Sequence, residues 1–134
     1  MLGSGNNFNA ANGTLIDDWL IAPKITDYNQ DIIDSLVFFT TSFNSQFADS
    51  IEIRRAPDNI GAQASDFTQI VDYINVPKTG WTRFAYKLNN SLPAGTTSYR
   101  VALRYYLQDG GATGNNSDVV GIDALSINRY LSKP

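Results

Sequence analysis

The sequence predicts an all-β protein built as an antiparallel sandwich. Three observations lead there. Apolar residues alternate with polar ones at the two-residue period of a strand, and they are mostly β-branched or aromatic. Clusters of Gly, Pro, Asn and Asp break these runs at short intervals, as antiparallel turns require. No segment carries a convincing helical period. The chain has 134 residues, 43% hydrophobic and 17% charged, which suits one packed domain.

Residues 1–14 read as a Gly/Asn-rich leader, loosely attached, and residues 15–134 as a single domain. Met1 to Asn7 has neither the basic head nor the apolar core of a signal peptide. Trp19-Leu20-Ile21 opens the strands. Leu36 to Thr41 is a β-branched and aromatic run. Ser50 to Arg54 places Ile51 and Ile53 on one face and Glu52 and Arg54 on the other. Ser65 to Tyr73 suits a turn or a short strand. Trp81 to Leu88 sets Phe84, Tyr86 and Leu88 together. Tyr99 to Leu107 is the clearest case, with Tyr99, Val101, Leu103, Tyr105 and Leu107 opposite Arg100, Ala102, Arg104 and Tyr106. Val119 to Ile127 closes the fold.

Composition excludes several chemistries. With no Cys there is neither a disulfide frame nor a thiolate zinc site. With no His, the usual nucleophilic triads and any imidazole proton shuttle are absent. A net charge of −3 and a pI near 4.6 argue against nucleic acid as a partner. No stretch approaches the ~18–20 apolar residues of a transmembrane helix. There is no G-x-S-x-G, S-x-x-K or phosphate loop, so no catalytic residues and no enzyme activity are expected.

A run of short motifs then resembles one family. Asp17-Asp18-Trp19-Leu20-Ile21-Ala22-Pro23-Lys24-Ile25 is similar to the "D-W-L-I-S-P-x-I" opening of cleaved-adhesin and choice-of-anchor J domains. Leu36-Val37-Phe38, Ser50-Ile51-Glu52-Ile53, Ala64-Ser65-Asp66-Phe67-Thr68, Tyr99 to Arg104 and Gly121 to Ile127 resemble later signatures of that family in the same order. The resemblance covers about residues 15–128. It implies an extracellular jelly-roll β-sandwich of a bacterial surface or secreted protein, distantly MAM-like, that binds glycan or protein without catalysis. It also implies structural calcium near the first and last strands, held by Asp17, Asp18 and Asp123. Two departures stand out. Ala124 replaces the second Asp of the closing "I-D-D" motif, and the strand that usually precedes "D-W-L-I" is missing. A missing first strand leaves an open sheet edge suited to self-association.

Sugar-binding faces use exposed aromatic rings flanked by fixed polar groups, so Trp81 and Tyr106, with Arg100 and Arg104, are the expected ligand-binding residues. Arg54, Arg83, Lys87, Arg100 and Arg104 could together form a basic stripe for an acidic partner. The loop from Asp109 to Asp118 lacks EF-hand spacing. Two other roles fit the same sequence: a structural subunit of an extracellular filament or particle surface completed by strand exchange, and a carbohydrate-binding accessory domain of a larger secreted enzyme.

Overall fold

A computed structural model describes residues 2–4, 14–43, 46–57, 63–110, 116 and 119–132. The chain forms β1 (Leu2–Ser4), β2 (Thr14–Ile21), β3 (Ile32–Ser42), β4 (Ser50–Ala56), β5 (Gln69–Asn75), β6 (Thr82–Lys87), β7 (Arg100–Gly110) and β8 (Val120–Leu131). One short 3-10 turn, Ala64–Asp66, precedes β5. The strands make two four-stranded sheets, ordered β1-β8-β3-β6 and β2-β7-β4-β5, with every neighbouring pair antiparallel. The expected β-sandwich is therefore present.

Alternation decides which side chains fill it. Leu36 and Phe38 of β3, Ile51 and Ile53 of β4, and Val101 and Leu103 of β7 are buried, with Ile16, Leu88, Tyr99 and Val120, in one core between the sheets. Their polar alternates face out, as the two-residue period dictates. The core also encloses polar groups, each with partners. Asp34, fully buried on β3, accepts from the Tyr99 hydroxyl at 2.7 Å and from both Nε and Nη2 of Arg129 at 2.7 and 3.0 Å. Asp49 accepts from Ser42 Oγ at 2.7 Å and from the Tyr105 hydroxyl. Arg55 reaches Gln69 Oε1 and the Leu88 and Asn90 carbonyls. A buried charge costs several kcal/mol unless it is paired or hydrogen-bonded; Arg129 pairs with Asp34, while neutral hydrogen-bond partners serve Asp49 and Arg55.

The N-terminal residues add to the first sheet. Leu2–Ser4, read as leader, form β1 and pair with Val120–Ile122 of β8, and β2 already begins at Thr14. The edge position expected to be vacant is thus filled over three residues. A three-residue strand is too short for a two-residue period to show. The rest of the 1–14 leader, and most of the Asp109–Asp118 loop, lie outside the described residues.

Candidate functional site

The outer face of the β2-β7-β4-β5 sheet carries the densest chemistry. Register builds it. Trp19 on β2 stands opposite Arg104 on β7, Arg104 opposite Glu52 on β4, and Glu52 opposite Tyr73 on β5. In the adjoining row Asp17 stands opposite Tyr106. Cross-strand neighbours lie ~4.5–5.5 Å apart, close enough for direct contact.

Arg104 is the hub. Its Nε and Nη2 donate to the two oxygens of Asp17 at 2.7 and 2.9 Å, a bidentate fork, while Nη1 donates to Glu52 Oε2 at 3.1 Å. Arg54 Nε donates to the same Glu52 oxygen at 2.7 Å. The Arg104 guanidinium lies 3.9 Å from the Tyr106 ring centre and 5.1 Å from that of Trp19, and Arg54 lies 6.0 Å from Trp19. Planar guanidinium is the group suited to fork and stack at once. The paired Arg104 holds the Asp17 carboxyl below the usual carboxylate range, against a smaller opposing effect of burial.

A loop walls one side of this cluster. Phe67 is buried on Ala56 and Ala102, whose small side chains leave room for its ring, and it sits 5.8 Å from Trp19. Arg54 Nη1 donates to the Phe67 carbonyl at 3.1 Å, tying loop to sheet. The Gln63 N–H donates to Asp66 Oδ2, closing the 3-10 turn. Between loop and strands lies a depression of about 310 Å³, with Trp19, Arg54 and Arg104 on one side and Ser65 and Thr68 on the other.

The residues expected to bind a ligand divide among three places. Arg104 and Tyr106 meet here. Arg100 shares their face but stands ~13 Å along β7, with Ala102 beneath Phe67 between them. Trp81, just before β6, packs beside the opposite sheet, edge-on to Phe43 at 6.0 Å and over Gly121. Arg83 and Lys87 are also on that sheet, so the basic stripe is not continuous. Trp19, Glu52 and Tyr73, which complete the cluster, were not anticipated as site residues. Only the strand register reveals them, although alternation had already put Glu52 and Arg54 on the outward side of their strand.

The three acids expected to share calcium lie on two strands, Asp17 and Asp18 on β2 and Asp123 on β8 of the other sheet. Asp17 is committed to Arg104, Asp18 follows it on the other face of β2, and Asp123 belongs to β8 of the second sheet. Asp123 Oδ1 accepts from the Ala124 N–H at 2.8 Å, within a β-bulge where Ala124 takes φ +50°. Among the described residues, no three acidic side chains form a metal cluster.

No family model and no curated protein matches this chain.

A second concavity opens between the sheets, a cleft of about 440 Å³. Leu20, Leu36, Val101, Leu103 and Ile122 line it, and Asp123 supplies its one ionisable side chain. β1 pairs with β8 only as far as Ile122, so among the described residues no strand lies beside Asp123–Leu131 on that side.

Proposed function

We propose that this protein is a non-catalytic binding module of a bacterial surface or secreted protein, recognising a glycan or an extracellular protein through the outer face of the β2-β7-β4-β5 sheet. The observation that carries the proposal is the Arg104 hub. One guanidinium, fixed by two carboxylates and stacked on Tyr106, holds a polar and aromatic surface rigid beside a ligand-sized depression. Preorganised groups bind well because little ordering entropy remains to be lost.

The same geometry argues against hydrolysis at this site. A glycosidase needs one carboxyl held protonated near neutral pH. Here Asp17 and Glu52 both face guanidinium groups, and Asp17 is held more acidic, not less. The motif order and the strand orders, which we read as a jelly roll, support an adhesin-like extracellular module.

The test is a glycan and extracellular-protein array probed with wild type, Tyr73→Ser and Tyr106→Ser. Loss of binding in both variants, with the fold retained, is expected. Binding that survives both substitutions would remove this face from the proposal.

A second reading has its own support. The β8 edge from Asp123 to Leu131, beside an apolar cleft, suits a strand contributed by another chain, as in a structural subunit. Sedimentation of the wild type against Asn128→Pro would decide it. Assembly that the proline abolishes supports strand exchange, and a monomer at all concentrations rules it out.

A further inference from the structure

We infer that the ligand of the Trp19–Arg104 depression is an uncharged saccharide and not an acidic one. The inference rests on reading this face as the binding surface, and it follows from how the charges there are already spent. The face holds two guanidiniums, Arg54 and Arg104, and two carboxylates, Asp17 and Glu52. Each guanidinium is paired with at least one of the carboxylates, so the formal charges cancel.

An anionic ligand would have to compete with carboxylates already in place. Arg104 donates through all three of its nitrogens, bidentately to Asp17 and singly to Glu52. A uronate, sulfate or phosphate reaching that guanidinium must displace one of these acids or lie against it. Both routes meet like-charge repulsion in a partly desolvated place.

A hydroxyl group meets no such conflict. It donates to a remaining carboxylate lone pair and accepts from a remaining guanidinium N–H, so a paired Arg–Asp–Glu network suits a polyol. Trp19, itself flanked by Arg54, Arg104 and Phe67, lines the depression together with Ser65 and Thr68. The depression is at the small end of the ~300–1,000 Å³ range of ligand sites, which suits one or two sugar rings.

The two tryptophans make a direct test, because Trp19 stands on β2 and Trp81 packs over Gly121 of the other sheet. Indole N–H signals are followed by NMR while the protein is titrated with neutral hexasaccharides of glucose, mannose or galactose. Parallel titrations use hexagalacturonate and a heparin hexasaccharide. The expected result is that at least one neutral oligosaccharide moves the Trp19 signal and leaves Trp81 in place. That effect should persist from about 50 to 500 mM salt, since screening acts only on charged ligands. Asp17→Asn and Glu52→Gln each remove one of the competing acids, so both should gain binding to the acidic hexasaccharides.

Movement of Trp19 by acidic oligosaccharides alone, lost at high salt, would overturn the neutral assignment and leave the binding face standing. Failure of every neutral hexasaccharide to move Trp19 would also overturn it. The binding face would then rest on the protein half of the array.

Discussion

The Arg104 guanidinium lies over the Tyr106 ring, 3.9 Å from its centre, although the two residues are separated only by Tyr105 in the chain. Residues two apart on a strand share a face, and Asp17 on the neighbouring strand pulls the guanidinium over that face. Removing Arg104 therefore does more than delete a charge. Arg104→Met should leave Asp17 and part of Glu52 unpaired and cost about 1–2 kcal/mol, since these groups are partly exposed. Arg104→Lys should cost less in stability but lose the fork and the stacking. Chemical denaturation of both variants checks the order.

The Asp34 network should be the most sensitive polar site. Asp34→Ala leaves the buried Tyr99 hydroxyl without its acceptor and takes the carboxylate from Arg129, which keeps the Thr26 and Asp27 carbonyls, and should cost about 2–3 kcal/mol. Tyr99→Phe should cost about 1 kcal/mol, because Arg129 still satisfies Asp34. Burial, with Asp34 next, pushes the Tyr99 phenol above its ordinary value. The neutral form is favoured on folding, so this contribution is intact below about pH 10 and lost as pH rises beyond it. Stability measured from pH 8 to 11 should fall more steeply in wild type than in Tyr99→Phe.

Gly121 gives Trp81 its seat. A Cβ at that position would lie 2.6 Å from the outer edge of the indole and 3.1 Å from Phe43. Trp81 is 42% exposed, so it can swing outward. Gly121→Ala should cost about 1 kcal/mol, at the mild end for overpacking, and red-shift the Trp81 emission.

Ala124 sits at φ +50°, a conformation that costs a residue with a Cβ roughly 1–2 kcal/mol. Glycine adopts it freely but is more flexible when unfolded. Ala124→Gly should therefore raise stability by about 0.5 kcal/mol, read as a small upward shift in melting temperature.

Calcium should leave the melting midpoint unchanged. Asp17 is held by Arg104, and among the described residues no group of three acidic side chains is placed to hold an ion. A ligand present at a hundredfold excess over its Kd would add about 2.7 kcal/mol, a shift of several degrees. Midpoints in millimolar calcium and in excess chelator compare the two cases. A rise in calcium would point to Asp18 or Asp123.

The sequence by itself determined the β-sandwich and the sidedness of its strands. Alternation is local, so Ile51 and Ile53, or Val101 and Leu103, announce a buried face without reference to any other strand. What it could not contain is which strands are neighbours. Trp19, Arg104, Glu52 and Tyr73 come from four strands spread over most of the chain, and only their register makes them a row. The same limit joined Arg83 and Lys87 to Arg104 in an expected stripe, although they lie on different sheets. It also left open whether Asp17 and Asp18 can serve one ion, since consecutive strand residues point to opposite faces. Pairing partners are chosen by the packing of the whole core, a non-local property. The sequence therefore supplied the residues of the face, and the tertiary structure alone assembled them.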